Sequence, residues 1–284
     1  MRQGAILSPL LFDLFMDDLA HELTAKGKPL PTATFVISLV NHLLYADDLV
    51  LLAVSLEDLQ QQLDLVTMWA DKWRLRFGIG AGKSAVMRFP RTPAGDSPLV
   101  LQGHALPWTQ SYKYLGVWVT PSLSSAHHLQ KARHKCRKNL FATLSWTPRE
   151  KLAISHVIPL VAQYLRPKFL YGIDCFSLSN ALLATVESEQ GKVASFLTHP
   201  KRQASWVHHF QLGWRSWDSI LIERCCGLLN RMAACPALRP CHSLVLHQAT
   251  APGTWVSQLF ALLRNAQVFP AWALSLSLSS MANR

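Results

Sequence analysis

Two adjacent acids set between two apolar runs constrain this chain more than any other feature. Phe35-Val36-Ile37-Ser38-Leu39-Val40 and Leu43-Leu44 lead into Tyr45-Ala46-Asp47-Asp48, and Leu49-Val50-Leu51-Leu52-Ala53-Val54 lead away from it. Short runs of this composition read as buried strands, and the polar interruption reads as the turn of an antiparallel hairpin. The expectation is a hairpin that lifts two carboxylates at its tip. Neighbouring carboxylates in apolar surroundings are costly unless a cation neutralises them. Mg²⁺ takes one or two protein carboxylates together with substrate phosphates and suits such a pair. The tip is therefore a candidate site of metal-assisted phosphoryl transfer. Taken alone, the four residues also fit a polar turn that merely contains two acids.

Three further blocks accompany the pair. Arg2-Gln3-Gly4-Ala5-Ile6-Leu7-Ser8-Pro9-Leu10-Leu11-Phe12 stands upstream; Leu75-Arg76-Phe77 with Lys83-Ser84-Ala85-Val86-Met87 stands downstream; Tyr112-Lys113-Tyr114-Leu115-Gly116-Val117 comes last. Together with the Tyr-x-Asp-Asp box, and in this order, the blocks resemble those of reverse transcriptases, in particular the non-LTR (LINE-type) retrotransposon group. The resemblance covers roughly the first 120 residues. Farther on, Leu170-Tyr171-Gly172 is only loosely similar to the region beyond the polymerase core in such elements.

Composition agrees with a folded partner of a polyanion. Half the residues are hydrophobic and 16% are charged, so a sizeable core is available to 284 residues. Lys and Arg number 28 against 17 Asp and Glu, a formal net charge of +11. Such an excess suggests nucleic acid, or equally an anionic membrane surface. No uninterrupted apolar run has the length of a membrane span and no signal peptide opens the sequence. The expectation is an intracellular protein, nuclear or cytoplasmic, with six reduced cysteines.

Local signals place the blocks on elements. Ser8-Pro9 starts a helix, with Ser8 as cap, Pro9 at the first helical position, and an apolar face of Leu10, Leu11, Leu14, Phe15 and Leu19. Asp13, Asp17 and Asp18 belong to the same helix, Asp13 and Asp17 on its solvated side. Ser55 and Asp58 have the form of a capping box, followed by the stripe Leu56, Leu59, Leu63, Val66, Ala70 and Trp73. Gly82-Lys83-Ser84 invites a reading as a phosphate-binding P-loop, but the first glycine of that motif would fall at Phe77, and Ala85 to Phe89 reads as a strand rather than a helix. Val100-Leu101 and Tyr112 to Val119 are expected to form one hairpin, with Gly103 and Pro107 in its connection. Trp118 and Tyr114 are placed to stack on nucleic acid or to fill a core.

Beyond the linker Pro121 to Ser125 the pattern turns helical. Leu129, Ala132, Cys136, Leu140 and Leu144 line one side of a helix, and Lys131, Arg133, Lys135, Arg137 and Lys138 cover much of the remainder. Such a face can hold a phosphate backbone without reading sequence, or simply be solvated. Farther on, breaks are expected at Pro159, Pro167, Pro200, Pro236 and Pro240, with Trp206, Trp214 and Trp217 as packing anchors. Cys225, Cys226, Cys235, Cys241, His242 and His247 match no common zinc spacing and read as free thiols and ordinary histidines; His127, His128, His134 and Cys136 make a weaker set still.

The resemblance implies an α+β chain: residues 1–120 as a partial right-hand polymerase palm built on the hairpin, residues 121–284 as a helical thumb and post-polymerase region. It implies RNA-directed DNA polymerase activity by two-metal nucleotidyl transfer, with Mg²⁺ as cofactor and RNA template, DNA primer and dNTP as partners. Asp47 is then the principal metal ligand and Asp48 a supporting one; Arg2, Gln3, Gly4, Tyr45 and Lys83 lie near nucleotide and template; Tyr114, Leu115 and Gly116 support the primer. Lys83 reads equally as a plain surface lysine. A first catalytic Asp, on an earlier palm strand, and the basic fingers would precede Arg2. The 284 residues by themselves are thus expected to be inactive. A non-catalytic nucleic-acid-binding remnant, and a split enzyme in which another polypeptide supplies the first Asp, are the alternatives.

Overall fold

A computed structural model describes residues 6–27, 40–80, 82–89, 97–144, 154–198, 213–234 and 254–265. It divides into two units: Met1–Lys113 with Thr120–Ser122, and Tyr114–Val119 with Leu123–Arg284.

In the first unit, helix α1 spans Ser8–Lys26. Leu7 occupies the cap position with no side-chain hydrogen bond and Pro9 falls in the first turn, so Ser8 lies inside the helix rather than at its cap. Met16, Leu19 and Leu23 are the buried face, with Phe12 and Phe15 packed beside them. Each fully buried leucine of this kind is worth about 1.5–3 kcal/mol. The expected face is corrected here: Leu10, Leu11 and Leu14 are exposed, as are Ile6 (96%) and Leu7. Helical periodicity identified an apolar side but not which apolar side meets the core.

Strands β1 (His42–Tyr45) and β2 (Asp48–Leu51) pair antiparallel, with His42 opposite Leu51 and Tyr45 opposite Asp48. They are shorter than the flanking apolar runs, and residues 35–39 lie outside the described residues. They are also half-buried rather than buried. Leu44, Leu49 and Leu51 face the core while Leu43 and Tyr45 are open, the alternation of a sheet with one wet side. Asn41, itself buried, donates to the Leu23 carbonyl at 2.7 Å and anchors the hairpin to the end of α1. Gly27 permits this approach, since a Cβ there would stand 2.2 Å from the Asn41 amide nitrogen.

Helix α2 (Leu56–Lys72) opens as its sequence dictates, with the Ser55 hydroxyl accepting from the Asp58 N–H at 3.1 Å. Leu63, Val66, Trp69 and Ala70 are buried against α1, and Trp69 donates its indole N–H to Asp18 at 3.1 Å. That bond, ahead of the nearby Lys72 ammonium, draws the Asp18 pKa below the ordinary carboxylate value. Trp73, expected at the end of the buried stripe, is half exposed at the helix terminus and meets Phe15 edge-on at 5.2 Å.

Residues 85–89 form no strand; Val86 makes a single parallel bridge to Trp108. The single hairpin expected from Val100 to Val119 is two. Strand β3 (Val100–Leu101) pairs with β4 (His104–Ala105) around Gln102-Gly103, and β5 (Tyr112–Tyr114) pairs with β6 (Val117–Val119) around Leu115-Gly116. In both turns two consecutive residues have positive φ, +46° and +79° in the first, +46° and +84° in the second. This is the backbone that closes a two-residue hairpin. Gln60 on α2 serves the edge of β3, donating to the Val100 carbonyl at 3.0 Å and accepting from its N–H at 2.8 Å. The division between units falls within β5.

Among its described residues the second unit has no strand outside Tyr114–Val119 and is built mainly of helices. Helix α3 spans Ser125–Leu144 and buries Leu129, Ala132, Cys136 and Leu140 as its stripe predicts. Helix α4 (Ile154–Leu160) contains Pro159 without ending there. A π-helical turn comes next over Val161–Leu165, where the Arg166 N–H reaches back five residues to the Val161 carbonyl, and α5 (Arg166–Leu170) continues with Pro167 in its first turn. The prolines therefore loosen one helical run rather than divide it, because each removes an N–H and the ladder lengthens to compensate. After a 3₁₀ turn at Ile173–Cys175 come α6 (Asn180–Thr198), α7 (Trp217–Ala234) and α8 (Trp255–Asn265). Their core joins Leu165, Phe169, Ile173, Val186, Leu221 and Leu259, with Trp217 against Phe169 at 5.2 Å. Gln190 on α6 is fully buried and accepts from the Trp217 N–H at 2.6 Å while donating to the Arg215 carbonyl at 2.9 Å, so one side chain fixes the start of α7. Among the described residues no helix is long and apolar enough to cross a membrane.

Candidate active site and basic helix

The tip of the β1–β2 hairpin is a two-residue turn, Ala46-Asp47, between the opposed residues Tyr45 and Asp48. Ala46 is held at φ +50°, a conformation that costs a non-glycine residue about 1–2 kcal/mol. Strain of that kind persists where the surrounding pairing enforces it, and it clusters at working sites. The turn leaves both Asp47 and Asp48 exposed, as is Tyr45. The two acids thus stand in water at the tip and not in the apolar surroundings the flanking runs suggested.

Tyr112 lies within electrostatic reach of this tip. Burial raises the Tyr112 phenol above its ordinary value, and the negative charge of Asp48 adds to that rise. The same hydroxyl donates to the Lys83 carbonyl. The Lys83 loop is closed on itself: its N–H donates to the Gly80 carbonyl at 3.1 Å, and the Ser84 hydroxyl donates to the Gly78 carbonyl at 2.8 Å. No helix follows it, so the geometry a P-loop requires is not there. Lys83 itself is exposed. Tyr112 is the residue that sequence reasoning passed over, although it opens the block that contains Leu115 and Gly116.

Of the other residues singled out, Arg2, Gln3 and Gly4 lie outside the described residues. Tyr114, Leu115 and Gly116 belong to the second unit. Asp47 and Asp48 offer hard oxygen donors in open water, which fits a Mg²⁺ ion that completes its shell with waters and phosphate oxygens. Among the described residues no group of three His, Cys, Asp or Glu converges as a ready metal site.

The basic helix α3 sorts its cations by face. Arg133 and Arg137 turn to Glu189 of α6, at 3.0 and 3.4 Å, where Lys192 also arrives at 2.7 Å. The Glu189 side chain is only 6% exposed, so one carboxylate gathers three cations at the edge of the core. Lys131, Lys135 and Lys138 lie on the opposite flank, all exposed, with the Lys131 ammonium 5.2 Å from the centre of the Trp118 ring. Sequence could not name the arginines' partner, because Glu189 is 52 residues away from Arg137 along the chain.

The thiols are quiet. Cys136 and Cys225 are buried and their pKa values are pushed up chiefly by that burial, to about 11 and about 12. Such thiols stay protonated and unreactive at neutral pH. Cys235, Cys241, His242, His247 and Trp206 lie outside the described residues.

Residues 1–119 match the family model described as reverse transcriptase (RNA-dependent DNA polymerase). The chain is 28% identical over 185 residues to the RNA-directed DNA polymerase from mobile element jockey of Drosophila funebris, covering 62% of this chain and 19% of that protein. It is 28% identical over 189 residues to the jockey polymerase of Drosophila melanogaster, again 62% of this chain and 19% of the relative. It is 26% identical over 206 residues to the probable RNA-directed DNA polymerase from transposon X-element of the same fly, 69% and 21%. The chain therefore spans about a fifth of the length of these relatives. No solved structure matches it.

Proposed function

Residues 1–119 belong to the reverse transcriptase family, on its LINE-type side, and from that premise we propose that this chain is the part of an RNA-directed DNA polymerase that carries the paired carboxylates and a phosphate-holding helix. The observation that carries the reading is the hairpin tip, where Asp47 and Asp48 project from a strained turn beside Tyr112. Bound Mg²⁺ would supply Lewis-acid activation of the attacking hydroxyl and neutralisation of developing phosphate charge. Asp47 and Asp48 would hold the ion, and Lys83, exposed on the loop that Tyr112 fastens, would meet the triphosphate. Template RNA, primer DNA and dNTP are the substrates of this reading.

Two-metal transfer needs more carboxylate than one adjacent pair provides, and the resembling family draws it from another strand. We therefore expect the 284 residues, purified as such, to synthesise no DNA on an RNA template with Mg²⁺. In a form that includes the further strand, Asp47→Asn should abolish synthesis while primer–template binding persists. Extension by the 284 residues that disappears in Asp47→Ala would overturn the first expectation; full activity in Asp47→Asn would remove Asp47 from the site.

A second reading, a nucleic-acid binder without chemistry, is favoured by one observation: Lys131, Lys135 and Lys138 form an exposed stripe that does not depend on the carboxylates. Along α3 they span about 10 Å, two helical turns, and can meet successive phosphates of one strand. Binding that persists in Asp47→Ala and in the absence of divalent ions would agree with both readings; synthesis by any form of the chain would decide against this one.

A further inference from the structure

The Leu115–Gly116 turn is held by a second glycine turn 56 residues away. The Tyr171 hydroxyl donates to the Leu115 carbonyl at 2.8 Å. Its ring lies so close over Gly116 that a Cβ there would be 2.8 Å from the ring edge. In return Gly172, at φ +73°, admits the Val117 side chain, where a Cβ would come within 2.5 Å of Cγ2. His128 completes the connection: the Trp118 N–H donates to its Nδ1 at 3.1 Å, and its Nε2 bonds the Tyr171 carbonyl at 2.8 Å. A backbone N–H can only donate and a carbonyl can only accept, so His128 is the neutral tautomer with its proton on Nε2. Every residue in this set lies in the second unit.

Leu115 explains why such a latch is needed. A leucine at φ +46° occupies a conformation disfavoured by its own Cβ, and no glycine or asparagine relieves it. Left to itself the turn would relax. Tyr171 is half exposed, so its ring does not serve as core; its polar atom is spent on the turn.

We propose that Tyr171 is a positioning residue, with His128 as its support, that holds the Leu115–Gly116 turn in the shape that receives the backbone at the 3′ end of a primer strand. The proposal deepens the polymerase reading and rests on it for the identity of the ligand; the latch itself rests on geometry alone. Tyr171 touches no reacting atom and acts through the turn.

Two measurements on the 284-residue chain test the two halves separately. Tyr171→Phe keeps the ring and removes the hydroxyl. By hydrogen-exchange mass spectrometry, amides in residues 115–118 should exchange about tenfold faster, as loss of one such hydrogen bond permits, while residues 182–194 are unchanged. Gly116→Asn provides the second variant, since Asn tolerates positive φ but brings a Cβ against the ring. It should loosen the same amides, and less so when combined with Tyr171→Ala. Unchanged exchange in Tyr171→Phe overturns the latch.

Fluorescence anisotropy then compares a duplex carrying a recessed 3′ end with a blunt duplex of equal length at one salt concentration. Wild type should favour the recessed end, and Tyr171→Phe should lose that preference while its affinity for the blunt duplex is kept. A preference that survives faster exchange overturns the positioning role. No preference in wild type removes the primer from the proposal and counts against the polymerase reading, while the exchange result still decides the latch.

Discussion

In the first unit, Asp47 and Asp48 stand on a two-stranded hairpin whose outer face carries the open Leu43 and Tyr45. In the second, the cations of α3 stand on a helix whose inner face is closed by Leu129, Ala132, Cys136 and Leu140. The first unit's described strands meet in pairs, and two-stranded sheets are marginal by themselves. Glutamine side chains supplement them, Gln60 at the edge of β3 and Gln62 donating to the Leu52 carbonyl at 3.0 Å. The second unit is built instead on a continuous helical core, with the buried Gln190 and, at the core's edge, Glu189 as polar joints. The contrast teaches that the unit carrying the candidate chemistry is the less closed of the two. Its α1 surface, from Ile6 through Leu14, is the kind of exposed apolar face that favours association.

The largest expected effect separates the two cores. Trp217→Ala removes a side chain that is 2% exposed and packed on Phe169, and should cost the second unit about 3–5 kcal/mol. Trp69→Ala should do the same to the first unit, where Trp69 is also 2% exposed. If the two cores unfold independently, each variant lowers one calorimetric transition and spares the other. A single transition that both variants shift equally would break the comparison.

The next prediction turns on Glu189. Glu189→Gln leaves Arg133, Arg137 and Lys192 without their shared carboxylate, at a cost of about 2 kcal/mol, the range for a hydrogen bond to a charged group. The same change frees two arginines for phosphate. Affinity for duplex should therefore rise as stability falls, and the slope of log K against log salt should steepen by roughly 0.7–0.9 for each additional phosphate neutralised. Weaker binding in step with lost stability would show that the arginines serve only the fold.

How far the sequence carried this picture differs between the units for physical reasons. The carboxylate hairpin, the Ser55 cap and the buried side of α3 were legible because each depends on residues within one or two turns of one another. What escaped depends on distance. Glu189 sorting the cations, and Tyr171 latching Leu115, join residues more than 50 apart. The two short hairpins escaped for a local reason, since Gln102-Gly103 and Leu115-Gly116 each put a non-glycine residue at positive φ, against the usual turn preference. The open side of α1 escaped because apolar residues on a helix announce a surface, not its partner.

A smaller effect sharpens the division of α3. Replacing Lys131, Lys135 and Lys138 by Gln should weaken duplex binding without regard to sequence and reduce the salt slope by roughly 0.7–0.9 for each phosphate no longer neutralised. Arg133→Gln with Arg137→Gln should leave the slope nearly unchanged while Glu189 remains. Helix content should hold in both sets, since Gln is a good helix former. Equal losses from the two sets would return α3 to a uniformly basic face.

The smallest effect is an acid sensitivity that His128 gives the second unit. Burial lowers its pKa below the ordinary 6.5, ahead of the opposing influences of the Tyr171 carbonyl and the Asp174 charge, while His127 adds to the lowering. Asp174 is itself paired with Arg224 at 2.9 Å, which blunts its pull. In the window between the lowered folded value and 6.5, the unfolded chain binds a proton that the folded chain refuses. Stability is then complete above 6.5 and declines as pH falls through that window, by at most about 1.4 kcal/mol per pH unit for one proton. His42 in the first unit is lowered by burial in the same direction, so the comparison requires the transition of the second unit alone. His128→Gln should flatten the pH dependence of that transition, because an amide does not titrate. A protonated His128 can no longer accept from the Trp118 N–H. Amides at residues 115–118 should therefore exchange faster at pH 5 than intrinsic rates explain, in wild type and not in the variant. Identical pH profiles for the two would mean that the turn is held without the imidazole.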